Sequence, residues 1–181
     1  MVIIASDLNH LFMRLLFLTV FCFLFLSFSF AQDRPQIYVF LAEECPISIA
    51  MASPLRELAT NLGEEVELIA VFPNLKSDQI TIRAFLGRHD LSQWQPILDP
   101  AQEISRRWGA KVTPEAVVVL LDKVVYRGRI SDAYSAPGRA RHGRINNELL
   151  AVCQTILSGG VVDTPWPEAV GCFITFLAPA P

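Results

Sequence analysis

The chain has 181 residues and a formal net charge of −3 at pH 7. This length is enough for one domain with a substantial core. The slight acidic excess argues against nucleic acid or an anionic membrane surface as the main partner.

The N-terminal segment predicts export. Residues 15–30 read LLFLTVFCFLFLSFSF, follow the basic Arg14, and lead to small residues at Ser29 and Ala31. A basic start, an apolar stretch and a small-x-small site are typical of a secretory signal peptide, and the stretch is short for a membrane span. We therefore predict a signal peptide over residues 1–31, cleaved after Ala31, and a periplasmic or extracellular domain over 32–181. The alternative is an uncleaved membrane anchor.

The remaining chain predicts strands and helices that mostly alternate. Predicted strands span 36–41, 66–72, 95–98, 117–121 and 124–130, the last two joined by a turn at Asp122-Lys123. Predicted helices span 46–62, with a kink at Pro54, and 78–89, 101–108 and 145–157. The order β-α-β-α-β-α-β-β-α indicates an α/β fold with a mixed central sheet and helices on both faces. A C-terminal extension follows from about residue 161.

Cys45 lies where the first strand gives way to its helix. A helix N-terminus presents unpaired N–H groups that lower the pKa of a thiol, and Pro46 suits the first helical position. Glu43 and Glu44 would raise that pKa if they pointed inward. The alternative is a buried structural cysteine.

Thr113-Pro114 precedes the strand sequence AVVVLL, with only Glu115 between them. A mixed sheet with a cysteine at the first strand–helix junction resembles the thioredoxin-like arrangement, and that resemblance implies a cis-proline loop here that faces the cysteine and leaves a backbone edge free for substrate. The alternative is an ordinary trans proline that opens a strand.

Five stretches carry a resemblance to a known family. They are FLAEECPIS, ILDPAQEISRRWGAKVTPEAVVVL, VVYRGRISDAY, ILSGG and EAVGCFI, and they follow one another over most of residues 36–174. In this order and spacing the chain resembles exported redoxin-type proteins of the thioredoxin-like superfamily, related to alkyl hydroperoxide reductase and thiol-specific antioxidant. The resemblance implies a thiol-dependent oxidoreductase with Cys45 as reactive residue and Thr113-Pro114 as substrate-binding loop, without cofactor or metal.

The chain departs from that family at several positions. Ser48 replaces the second cysteine of Cys-x-x-Cys enzymes, and Ala42 and Tyr38 replace the threonine and proline of typical peroxiredoxins. A resolving thiol must then come from elsewhere. Cys172 follows a glycine that permits close approach, whereas Cys153 lies on the apolar face of a helix. We expect Cys172 to be the redox partner of Cys45; the alternatives are a static Cys45–Cys172 disulfide and an unpaired or intermolecular thiol.

Two functions from different classes follow. The first is an exported oxidoreductase that acts on a protein disulfide or a hydroperoxide and is served by an external thiol donor. The second is a catalytically inactive binding or scaffold module of a periplasmic redox assembly. The reactivity of Cys45 separates them. Arg127 or Arg129 can also point toward the thiolate, although strand alternation does not tell which.

Overall fold

The computed structural model describes residues 34–177, so the predicted signal peptide over 1–31 lies outside them. The strands are β1 (Gln36–Phe40), β2 (Glu67–Phe72), β3 (Gln95–Leu98), β4 (Val112–Thr113), β5 (Glu115–Leu120), β6 (Lys123–Gly128), β7 (Tyr134–Ala136), β8 (Arg139–Ala140) and β9 (Cys172–Phe173). The helices are α1 (Pro46–Ala50), α2 (Ala52–Leu62), α3 (Gln79–Arg88), α4 (Glu103–Trp108) and α5 (Glu148–Leu157), with a 3-10 turn at Gly63–Glu65.

Five strands form a mixed sheet in the order β3-β2-β1-β5-β6. The pairs β1–β2 and β2–β3 are parallel, whereas β5 runs antiparallel to β1 and β6 antiparallel to β5. Alternate side chains of β1 point to opposite faces, so Ile37 and Val39 belong to one core and Phe40 to another. Helices α2, α3 and α5 contribute to the first core and α4 to the second. The predicted mixed sheet with helices on both faces is confirmed.

The first predicted helix is broken rather than kinked at the proline. Helix α1 ends at Ala50 and α2 begins at Ala52, with Met51 between them as a turn. Pro54 has no N–H for the carbonyl of Ala50, and its ring crowds that carbonyl. The interruption therefore lies before the proline, at the carbonyl that has lost its partner.

The turn between β5 and β6 is shifted by one residue from the prediction. Leu120 pairs with Lys123, so Leu121 and Asp122 form the turn, and both have positive φ angles, 51° and 57°. Two central residues with positive φ are the mark of the two-residue turns whose twist matches a hairpin. The prediction of a turn at Asp122-Lys123 was wrong by one residue, because two adjacent polar residues favour a turn without fixing the register of the strands.

The segment after α5 returns to the sheet. Trp166 lies against Tyr126 of β6, with ring centroids 6.1 Å apart, and the carbonyl of Pro167 accepts the N–H of Arg129 at 3.1 Å. Strand β9 then pairs antiparallel with β4, so the predicted extension contains a strand that its sequence pattern did not indicate. Within residues 34–177 no helix has the length and apolar character needed to cross a membrane.

Candidate redox site

Cys45 lies at the N-terminus of α1, immediately after the loop that leaves β1. Its N–H donates to the carbonyl of Ala42 at 3.1 Å, and its own carbonyl accepts the N–H of Ile49 at 3.0 Å. Cys45 is thus the N-cap residue, and Pro46 occupies the first helical position. The side chain is only 4% exposed. These contacts fix the thiol at the positive end of the helix while keeping it out of bulk water.

Cys172 lies against Cys45 although 127 positions separate them in the sequence. The two Sγ atoms are 3.3 Å apart, and each cysteine is a free thiol. The pairing of β4 with β9 sets this geometry, because it places Cys172 opposite Thr113. The Cys45 thiol can also donate a hydrogen bond to the Thr113 carbonyl, which lies 3.4 Å from its Sγ.

Gly171 makes the approach of β9 possible. A Cβ atom added at this position would lie 2.2 Å from the carbonyl oxygen of Thr113 and 3.0 Å from the nitrogen of Pro114. Any other L-residue would therefore push the strand away from the loop. On the far side of the cysteine, the N–H of Ile174 donates to the carbonyl of Lys111 at 2.9 Å, and Gln102 Nε2 donates to the carbonyl of Thr175 at 2.7 Å.

The surroundings of Cys45 favour its thiolate. Burial opposes ionisation, but the N–H of Ser48, the Cys172 thiol, the Ser48 hydroxyl and the N–H of Ile47 outweigh it and lower the Cys45 pKa. The Ser48 Oγ accepts the N–H of Ala42 at 3.2 Å, so its hydroxyl hydrogen is left to donate to Cys45. Ser48, which stands where a dithiol motif has its second cysteine, thus stabilises the thiolate of Cys45.

Cys172 and Cys153 differ from Cys45 in this respect. The hydrogen bond to Cys45, and next burial, raise the pKa of the Cys172 thiol, so Cys45 ionises first and Cys172 donates to it. Burial alone raises the pKa of Cys153 to about 12. Cys153 is 1% exposed and belongs to the first core, as its position on the apolar side of the helix predicts.

The charged residues that the sequence placed near Cys45 are engaged elsewhere. The Glu43 carboxylate accepts hydrogen bonds from Ser77 Oγ at 2.8 Å and Thr81 Oγ1 at 3.0 Å. Arg129 forms a two-point ion pair with Glu148, while Arg127 faces Glu115 at 3.9 Å. None of these groups is among the causes of the Cys45 pKa shift, so backbone and hydroxyl donors activate this thiol rather than an arginine.

Thr113 and Pro114 face the thiol, and the peptide bond between them is cis. The expectation of a free backbone edge at this loop was wrong, because β9 of the same chain is paired there. The hydroxyl of Thr113 also reaches the carbonyl of Cys172 at 3.5 Å. The edge is occupied because Gly171 lets the C-terminal segment pack directly against the backbone of Thr113 and Pro114.

Glu115 is a residue of this loop that sequence reasoning missed. It is 5% exposed, and its Oε2 accepts the N–H groups of Lys111 at 2.6 Å and Val112 at 3.2 Å. Burial raises its pKa, although these two donors and the nearby Arg127 lower it in part. Glu115 therefore fixes the backbone that carries Thr113. An acid directly after a strand-opening proline was the available signal.

Within residues 34–177, no three His, Cys, Asp or Glu side chains come close enough together to hold a metal ion. The site itself brings together two thiols and the hydrogen-bond donors around Cys45.

No family model and no curated protein matches the chain, whereas solved structures do. A hypothetical protein from Sinorhizobium meliloti superposes with a TM-score of 0.70 at 19% identity and covers 81% of each chain. An uncharacterized conserved protein from Geobacillus kaustophilus gives a TM-score of 0.69 at 22% identity, over 82% of this chain and 80% of that one.

A secreted Mycobacterium tuberculosis disulfide oxidoreductase homologous to E. coli DsbE gives a TM-score of 0.50 at 15% identity, over 70% of this chain and 82% of that one. At these identities the likeness is one of fold. Together with the sheet order and the position of Cys45, it establishes that the chain has the thioredoxin-like fold.

Proposed function

We propose that this protein is a thiol–disulfide oxidoreductase whose redox couple is Cys45 and Cys172. The observation that carries the proposal is the 3.3 Å separation of their Sγ atoms at the N-terminus of α1. A disulfide needs its sulfurs about 2.05 Å apart. Only a shift of roughly 1 Å is therefore required, while the N–H groups of α1 stabilise the thiolate that attacks or leaves.

The reaction transfers two electrons. In the oxidising direction, the thiolate of one cysteine attacks a sulfur of the substrate disulfide and forms a mixed disulfide, and a substrate thiolate leaves. The other cysteine then attacks the protein sulfur, releases the second substrate thiolate and closes the Cys45–Cys172 bond. The two thiol protons go to the substrate sulfurs. In the reducing direction an external thiol donor reopens the bond.

In this proposal Thr113 and Pro114 form the loop that binds the strand whose cysteine reacts with Cys45. The strand is supplied by the chain itself, since Cys172 of β9 lies opposite Thr113. Backbone pairing at a sheet edge is a common way to bind an extended peptide. An external peptide that takes this place must first displace β9.

Reduction of a hydroperoxide is a second candidate. Attack of the Cys45 thiolate on the peroxide would give a sulfenic acid and release an alcohol or water, and Cys172 would condense with the sulfenic acid to the same disulfide with loss of water. The contact between the two sulfurs supports this resolving step. The absence of the peroxidatic threonine, whose position holds Ala42, favours the disulfide substrate.

Export belongs to the same proposal. The apolar segment over 15–30 supports a signal peptide removed after Ala31, with residues 32–181 as the working domain. A similar structure is that of a secreted disulfide oxidoreductase, which fits the same compartment. Thiols pair and exchange in oxidising compartments, where such a couple can be kept in use by an external thiol donor.

The proposal is tested by equilibrating the purified full-length protein with defined mixtures of reduced and oxidised glutathione and mapping its disulfides by peptide mass spectrometry. We expect a reversible Cys45–Cys172 bond and catalysis of insulin reduction by dithiothreitol. Cys45→Ser and Cys172→Ser should each lower that catalysis to the uncatalysed rate, whereas Cys153→Ala should retain it.

A bond that no glutathione mixture opens, or catalysis that survives in Cys45→Ser, would contradict the proposal. The binding or scaffold module of a periplasmic redox assembly would then be the better account of the protein.

A further inference from the structure

The two sulfurs of the proposed couple differ in access. Cys45 is 4% exposed and packs with Ala42 and Ile47, and Val170 of the C-terminal segment packs against this cluster. Cys172 lies on the outer side of the same contact and is exposed. Closing the 3.3 Å gap to a disulfide leaves Cys45 beneath the segment, since the hydrogen bonds on either side of Cys172 hold β9 in place.

The direction of attack follows from this arrangement. An external thiolate must approach one sulfur opposite the bond that breaks, and only Cys172 offers such an approach from solvent. Attack there makes Cys45 the leaving group, and a thiol with a lower pKa leaves faster. The helix N–H groups that lower the pKa of Cys45 would therefore speed this step, whereas attack at Cys45 would release the thiol whose pKa is raised.

We propose that electrons enter this protein through Cys172, on which the mixed disulfide with an external protein dithiol forms, while the buried Cys45 is the internal leaving group. This inference rests on the proposed function and reverses the role that the sequence favoured, in which Cys45 meets the partner. Cys45 is the residue at the start of α1, yet the exposed cysteine of the C-terminal segment performs the exchange.

The exchange at Cys172 has two steps. A partner thiolate attacks Cys172 Sγ, the Cys45–Cys172 bond breaks, and its electron pair remains on Cys45 Sγ. The second thiol of the partner then loses its proton and attacks the partner sulfur, which forms the partner disulfide and releases Cys172. Two electrons and two protons pass from the dithiol to the couple.

The test uses a monothiol, which stops at the mixed disulfide. The oxidised full-length protein is mixed with an equimolar amount of reduced glutathione and quenched after seconds with acid and a thiol-blocking reagent. Tandem mass spectrometry then assigns the glutathione to Cys45 or Cys172, and a Cys22→Ala, Cys153→Ala double variant is run in parallel to remove the other two thiols of the full-length chain. We expect on the order of tenfold more glutathione on Cys172 than on Cys45.

Predominant labelling of Cys45 would overturn the inference while leaving the Cys45–Cys172 couple in place. If oxidation yields no Cys45–Cys172 bond at all, the proposed function itself fails, and the inference fails with it. The two failures are therefore distinguished in one sample, by the disulfide map taken before glutathione is added.

Discussion

Cys45 and Cys153 are both buried, with exposures of 4% and 1%, yet the protein treats their thiols in opposite ways. Cys45 caps the N-terminus of α1 and its pKa is lowered, whereas Cys153 lies inside α5 and its pKa is raised to about 12. Burial penalises the thiolate at both positions. Hydrogen-bond donors, more than access to water, therefore decide which of the two buried thiols ionises more readily.

The donors follow from the position of each cysteine along its helix. The first N–H groups of a helix have no carbonyl partner within it, so those of Ile47 and Ser48 are available to Cys45. Around Cys153 the helix N–H groups are already bonded to carbonyls four residues earlier, and burial is the only cause of its pKa shift. Cys45 also has a second thiol beside it.

The substitution Gly171→Ala tests the part of this difference that comes from the second thiol, and it has the largest expected effect. The added Cβ would lie 2.2 Å from the Thr113 carbonyl, so β9 must move away and carry Cys172 from Cys45. A displacement of about 1 Å can cost on the order of 100-fold in rate. We expect a loss of that size in the rate of Cys45–Cys172 bond formation by oxidised glutathione, followed by mass spectrometry.

Gly87→Ala is the matched control. It makes the same change in α3, where an added Cβ meets nothing within 4 Å, and it should leave the rate unchanged. Equal rates for wild type and Gly171→Ala would show that the pairing of β9 with β4 does not hold the two sulfurs together.

The opposite pKa shifts also predict opposite effects of pH on stability. Between pH 8 and 10 the unfolded chain releases the Cys153 proton while the native protein keeps it, so the native state binds more protons and stability falls. A group with this shift should cost about 1 to 2 kcal/mol over that range. Cys45 acts in the other sense, because its thiolate forms first in the native state and stability rises as pH passes through its pKa.

The measurement is urea unfolding of the reduced protein at pH 8, 9 and 10, for wild type and Cys153→Ala. The variant loses core contacts at every pH. Between pH 8 and 10, however, its free energy of unfolding should fall by about 1 to 2 kcal/mol less than that of the wild type. Parallel curves for the two proteins would refute a raised pKa at Cys153. Because both proteins retain Tyr126 and the lysines, the difference between them isolates the cysteine.

Much of the fold could be predicted because its strands and helices follow from patterns of neighbouring residues. Strands β1 and β2 are β-branched and aromatic runs, and the side chain of Asp78 caps α3 as its sequence suggests. Cys45 could be identified for the same reason, since a strand followed by Cys-Pro and an apolar helix pattern places the thiol at a helix start. Each of these inferences needs only a few neighbouring residues.

The rest of the site depends on contacts between distant residues. Strand β9 is two residues long and has no alternation to indicate it, so only Gly171 pointed to a close approach. The occupied edge at Thr113, the carboxylate of Glu115 on two N–H groups, and the engagement of Glu43 by α3 all follow from tertiary packing. A sequence pattern states which residues can pair, while the folded chain decides which ones do.

Ser48→Ala is the mildest test of the comparison, because it removes one donor from Cys45 and leaves its burial and its partner thiol. Without the hydroxyl, the Cys45 pKa should rise, and the N–H of Ala42 loses its acceptor at 3.2 Å. An unpaired buried N–H costs about 1 to 3 kcal/mol. The pKa is read from thiolate absorbance at 240 nm and the stability from urea unfolding.

Ser158→Ala is the control, since that hydroxyl is exposed at the end of α5 and bonds only its own helix. It should change neither quantity. A Cys45 titration that is the same in Ser48→Ala and wild type would mean that the backbone N–H groups and Cys172 suffice to stabilise the thiolate. Ser48 would then be a structural residue that bonds Ala42, and the distinction between the two buried cysteines would rest on helix position and partner alone.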